Sequence, residues 1–190
     1  LKQITELLLT SDPSVEELQS IADGVEASAA VLRETPRIYG RAAYLERGGH
    51  GSYGHISHEI NPLSGLSTPI APPVNTWFDG DRAYGKVTLN WSYEGPPGTV
   101  HGGIVAAVFD HFLGIAQTLG GQPGMTGNLK VHYHHRTPLN QELDLKAWIK
   151  RLDGRKTVVC GEMYAKGVMT ASCEGLFVQP KDGIRMLKPL

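Results

Sequence analysis

The sequence predicts an α+β fold, with one long helix laid against an antiparallel sheet, and three observations carry that prediction. Residues 104–119 are apolar on nearly every side of a helix (Ile104, Val105, Val108, Phe109, Phe112, Leu113, Ile115, Leu119), the mark of a helix buried all round. Strand-like runs lie on both sides of it, two before and three or four after. Asp153-Gly154 and Lys166-Gly167 read as hairpin turns, and hairpins make antiparallel neighbours. A curved sheet wrapped around a central helix satisfies all three.

The elements follow in order. Ile4, Leu7 and Leu8 share one face of a first helix, which Ser11-Asp12-Pro13-Ser14 ends. Ser14 stands three residues before Glu17, the spacing of a capping box. A second helix then runs to about Arg33 with Val15, Leu18, Ile21, Ala22 and Val25 facing inward, and Pro36 stops it. Residues 36–75 are rich in Gly and Pro and predict little regular structure. Their apolar residues (Ile56, Ile60, Leu63, Leu66, Ile70, Val74) favour a cover laid over the domain rather than a free linker. Trp77–Trp91 reads as two strands around a turn at 79–81, and further strands are expected at 125–136, 141–152, 156–165 and 168–178. The chain therefore divides into an N-terminal part, 1–75, a main domain, 76–180, and a tail, 181–190.

Composition narrows the function classes. At 41% hydrophobic and 19% charged residues, the chain is globular rather than disordered. A net charge of −1 without a dense Lys/Arg block argues against nucleic acid or an anionic membrane as partner. No apolar run is expected to reach the roughly 20 residues of a membrane span. The opening Leu1-Lys2-Gln3-Ile4 does not resemble a signal peptide, and a start at Leu rather than Met is expected to mean that a few native residues are missing. The expectation is a cytoplasmic protein. Cys160 and Cys173 form no disulfide framework, although the turn at Lys166-Gly167 would make them near cross-strand neighbours.

The chemistry concentrates at Gly-Pro-Pro-Gly-Thr-Val-His-Gly-Gly, residues 95–103, and at Asp110, the one carboxylate within 104–119. Free N–H groups at a helix start favour an anion or a developing oxyanion, and Gly102 and Gly103 let a substrate approach the backbone closely. Taken alone, these glycines read equally as a tight turn into the helix. Taken alone, Asp110 reads equally as a structural residue or as a base or nucleophile. His132, His134 and His135 lack a carboxylate or Cys at ligand spacing, so a metal site is not expected. His50, His55 and His58 read as surface residues or as contacts of the cover.

His101-Gly102-Gly103 followed by Asp110, nine residues after the His, resembles the signature of hotdog-fold thioesterases of the PaaI-like acyl-CoA type, in the 4-hydroxybenzoyl-CoA thioesterase superfamily. Leu129-Lys130-Val131-His132-Tyr133, Thr137-Pro138-Leu139, Asp153-Gly154-Arg155-Lys156 and Gly175-Leu176-Phe177 resemble the family's later strands, and the likeness covers about 75–180. Gly95-Pro96-Pro97-Gly98 is similar to the loop of a subgroup that includes mammalian acyl-CoA thioesterases. His135-Arg136 departs from the Arg-Pro usual at that place.

The resemblance implies a hotdog fold, with its sheet around one central helix and an N-terminal helical extension, and the hydrolysis of acyl-CoA to acid and coenzyme A. No cofactor is implied beyond the coenzyme A of the substrate. Asp110 would act as nucleophile or base, Gly102 and Gly103 would polarise the carbonyl, Thr126 would hold Asp110 or the water, and His101 would order the loop. Phe109 and Leu113 would line the pocket, and Arg136, Arg155 and Lys156 would meet coenzyme A phosphates. Roughly 10–12 Å of helix rise separates the glycines from Asp110, too far for one carbonyl to touch both. A site would then join the glycines of one subunit to Asp110 of another, which implies a homodimer, with a homotetramer as the larger assembly. The competing readings are a non-catalytic acyl-CoA or lipid-binding hotdog module and a hotdog hydratase. The adjacent Asp110 and His111 face different ways on the helix, which counts against the hydratase.

Overall fold

The structure, a computed structural model, describes residues 1–48 and 58–181. It opens with three helices, α1 (Lys2–Thr10), α2 (Val15–Arg33) and α3 (Gly40–Arg47). Strands β1 (Asn75–Asp79) and β2 (Arg82–Thr88) follow, then the central helix α4 (Gly102–Ala116), which tightens into a 3-10 turn over Gln117–Gly120. The last four strands are β3 (Met125–Tyr133), β4 (Glu142–Asp153), β5 (Lys156–Ala165) and β6 (Val168–Val178).

All six strands form one curved sheet in the order β1-β2-β4-β5-β6-β3, and every neighbouring pair is antiparallel. The chain leaves β2 at one side of the sheet, crosses its concave face as α4, and returns at the far edge as β3. Small residues let the helix lie close. Gly161 of β5 and Gly175 of β6 face Leu113, and Gly85 of β2 faces Phe112. Phe109, Phe112, Leu113, Leu143, Leu145, Met163, Val159 and Phe177 fill the core between helix and sheet. Helix burial and strand alternation here follow one hydrophobic pattern, period 3.6 on α4 and period 2 on β5 and β6.

Several expectations are corrected. By length and composition alone Gly102–Gly120 could cross a membrane, but its apolar side chains pack against the sheet. The helix is not buried all round either. Gly103, Ala106, Ala107, Asp110 and Gly114 form a small-residue stripe that stays half-buried or exposed. In α2 the capping box between Ser14 and Glu17 is present, yet Val15, Leu18, Ile21 and Val25 remain exposed, and α1 and α2 bury no residue. Both helices present their apolar faces to an open groove of about 910 Å³ between them. Local pattern specifies the helices, and their apolar faces line this groove instead of a closed core. The irregular stretch contains α3, and it also reaches the core, where Ala71 is fully buried and accepts a hydrogen bond from the Tyr93 hydroxyl. Cys160 pairs with Glu174 and Cys173 with Gly161, so the thiols lie one register step apart on opposite faces of the sheet.

Candidate active site

The site begins in the loop before α4. Gly95 N–H donates to Thr99 O, Thr99 N–H to Pro96 O, and Gly98 N–H to the Glu94 carboxylate. The loop is tied down at its end, where Val100 N–H donates to Thr137 O and His101 N–H to Tyr93 O. His101 is the residue that caps the helix. Its Nδ1 accepts from Gly103 N–H at 3.0 Å, while its carbonyl accepts from Ile104 and Val105. A Cβ on Gly103 would come within 3.1 Å of that Nδ1, so the second glycine makes room for the histidine ring.

This capping sorts the two expected oxyanion donors. Gly103 N–H is occupied by His101. Gly102 N–H has no hydrogen-bond partner among the described residues. It sits at the positive end of α4, where a partial negative charge is stabilised. Beside it lies a hollow of about 520 Å³, lined by Gly102, Val105, Tyr133, His134, Arg136 and Thr137 among others. Tyr133 was not singled out from the sequence. Its hydroxyl donates to Gly102 O at 2.8 Å.

Asp110 stands two turns further along, on the half-open stripe of α4. Thr126, near the start of β3, donates its hydroxyl to Asp110 Oδ1 at 2.8 Å. The β3 bulge between Thr126 and Asn128 lies next to this contact. Thus one end of β3 carries the acidic group and the other end, at Tyr133, carries the free N–H. Burial and then the Asp110 charge push the Cys173 thiol up to about 12. Burial holds His111 below the ordinary histidine value, opposed by Asp110 and assisted by Arg41.

The remaining expected residues divide. Phe109 and Leu113 are fully buried beneath β5, because their helix face points to the sheet. Arg136 lines the hollow at Gly102. Arg155 and Lys156 lie at the opposite end of the sheet, in the β4–β5 turn region, where Arg155 donates to Gln179 O. His132 and His134 stack 6.4 Å apart, and His134 Nε2 is bonded to Ser172 Oγ. Among the described residues no three His, Cys, Asp or Glu side chains gather as a metal site. His58 is exposed, whereas His50, His55 and nearly all of the tail lie outside the described residues.

Comparison with known proteins places this arrangement. A sequence model of the thioesterase superfamily matches residues 97–172, the stretch from the glycine loop into β6. A crystal structure of a thioesterase superfamily protein superposes with a TM-score of 0.77 at 33% identity, covering 93% of this chain and 90% of that one. The PaaI protein of E. coli, from its phenylacetic acid degradation operon, shares the fold at 14% identity and a TM-score of 0.53, over 56% of this chain and 79% of that one. The acyl-coenzyme A thioesterase THEM4 of Xenopus laevis is 35% identical over 63 residues, which is 33% of this chain and 28% of that protein, so the chain matches little more than a quarter of that relative. Sheet, central helix and full-length likeness agree: the chain is a hotdog-fold member of the thioesterase superfamily.

Proposed function

We propose that the protein hydrolyses an acyl-CoA thioester, with Gly102 N–H of one protomer and Asp110 of another acting on the same carbonyl. Membership of the superfamily supports thioester hydrolysis in general, and a fold neighbour from Streptococcus mutans whose structure was solved with acetyl CoA supports the ligand class. The observation that carries the reading is the placement of a free N–H and an acidic side chain at opposite ends of one strand. Gly102 N–H lies at the Tyr133 end of β3, and the Asp110–Thr126 pair lies at its beginning.

β3 is an edge strand, and its outer side has no strand partner among the described residues. Its residues are mostly exposed, and the small-residue stripe of α4 lies open as well. An unpaired edge is a template for a second strand. Antiparallel pairing of two β3 edges brings the beginning of one strand to the end of the other. It therefore sets one protomer's Asp110 near its partner's Gly102, a distance the roughly 12 Å of helix rise forbids within one chain. In the same reading Arg136 of one protomer acts with Arg155 and Lys156 of the other on phosphates of coenzyme A.

In this reading the thioester oxygen takes the Gly102 N–H as charge develops on it. Asp110, oriented by Thr126, either attacks the carbonyl carbon or removes a proton from the attacking water, and the thiolate of coenzyme A leaves. Folding and chemistry are linked here, since the helix start supplies the electrophilic assistance. No cofactor is required.

The test is a panel of acyl-CoAs of differing chain length with thiol release as readout, followed by subunit mixing. Gly102→Pro deletes the N–H at a helix position that accepts proline, and His101, with φ −59° and ψ 130°, already has the extended backbone that precedes proline. Asp110→Asn removes the acid group. Each variant alone is expected to be inactive, and a refolded mixture is expected to regain activity through sites built from one intact half of each. Tight binding of acyl-CoA without turnover would instead identify a binding module, and an inactive mixture would overturn the shared site.

A further inference from the structure

The Gly102–Gly103 peptide is held from both sides. Its oxygen accepts from the Tyr133 hydroxyl at 2.8 Å, and its N–H donates to His101 Nδ1 at 3.0 Å. The Tyr133 ring also lies flush with the glycine, since a Cβ on Gly102 would sit 3.5 Å from two ring carbons. Glycine is the residue whose backbone moves most freely, and two in succession at a helix start would leave the local N–H groups poorly aimed. Fraying at this end is the ordinary behaviour of a first turn.

We propose that Tyr133 and His101 act together as a positioning clamp that keeps the neighbouring Gly102 N–H aimed into the hollow. This rests on the reading of Gly102 N–H as the oxyanion donor. The two side chains come from different elements, one from the helix cap and one from the last residue of the edge strand, so they fix the helix mouth relative to the sheet. The carbonyl that Tyr133 meets already serves the first turn of α4, and a second donor on it polarises the same peptide whose N–H His101 receives. For His101 to accept at Nδ1, that nitrogen must be unprotonated, with the ring proton on Nε2. The imidazole thus serves as an acceptor here and not as a base.

The experiment uses the full chain with Tyr133→Phe, which keeps the ring and removes the hydroxyl. Two readouts are taken. The first, independent of activity, is amide hydrogen exchange at Gly102 and Gly103 by NMR, expected to quicken several-fold. The second is hydrolysis of the best acyl-CoA from the panel, expected to show kcat lowered about 10-fold, the weight of one hydrogen bond, with KM within about two-fold of the parent. His101→Asn, which retains a capping acceptor, is expected to stay near the parent where His101→Ala does not. Unchanged amide exchange in Tyr133→Phe would overturn the clamp, as would a raised KM with intact kcat, which marks direct substrate contact. A parent protein that hydrolyses no acyl-CoA would overturn the proposed reaction while the exchange data still judge the clamp.

Discussion

Asp110 and Thr126 meet at 2.8 Å and so join the middle of the central helix to the first residues of the edge strand. The contact uses one carboxylate oxygen and leaves the other for substrate or water. Thr126→Val removes the donor while keeping the side-chain shape. We expect kcat to fall about 10-fold, with Thr126→Ser close to the parent. Asp110→Asn is expected to cost at least about 1,000-fold, as loss of a nucleophile or base does. Thiol release under single-turnover conditions measures both.

Gly102→Ala provides the companion to the proline variant. A Cβ there meets the Tyr133 ring at 3.5 Å, an ordinary contact, and the N–H survives. Activity is expected to remain within a few-fold of the parent while the proline variant loses it. Equal loss in both variants would show that space at Gly102, and not its N–H, is what the reaction needs.

His111 links stability to pH. Its ordinary value is 6.5, and burial holds the folded-state value below that. A lowered histidine contributes stability that is fully present above about 6.5 and is lost as pH falls through the folded value, because the unfolded chain then binds the proton more readily. Thermal unfolding across pH 5–8 is expected to show a decline on the acid side that His111→Gln reduces. A decline of the same size in the variant would assign it to other groups.

Gly161 tests the helix–sheet seam. A Cβ at this position would lie 2.7 Å from Leu113 Cδ2, and Leu113 is fully buried. Gly161→Ala is expected to destabilise by about 1–3 kcal/mol through overpacking. Chemical denaturation with an unchanged slope and a lower midpoint is the anticipated result.

The N-terminal hairpin makes the opposite prediction. α1 and α2 contribute no buried residue, although Lys2 Nζ reaches Ala71 O at 3.2 Å. Removal of residues 1–34 is expected to leave the sheet and α4 folded, with a midpoint shifted by no more than a few degrees. Circular dichroism and thermal melts read this directly.

The hotdog core was legible because its signals are local and mutually consistent. Asp153-Gly154 and Lys166-Gly167 mark hairpins that the structure contains, and β5 and β6 occupy 156–165 and 168–178 as the pattern predicts. The central helix was visible from composition alone. What composition could not show was which sides of a helix find partners. Asp110 lies on a stripe of small residues that stays open, Ile21 and Val25 of α2 face a groove rather than a core, and Val15 and Leu18 are exposed. The same limit applies to Phe109 and Leu113, whose type fits a pocket wall as well as a core and which the fold buries completely. His101 and Gly103 were singled out, but their mutual hydrogen bond is a matter of backbone direction at a cap, which spacing does not encode. Tyr133 carried no signal of its own, since a tyrosine in a strand is ordinary until the strand's end is seen beside Gly102.

Cys160 and Cys173 back onto opposite sides of one sheet. A single strand layer separates the sulfurs, and neither can swing through it to the other. Oxidising conditions therefore offer this fold no internal staple: any bridge that formed would have to tie one molecule to another.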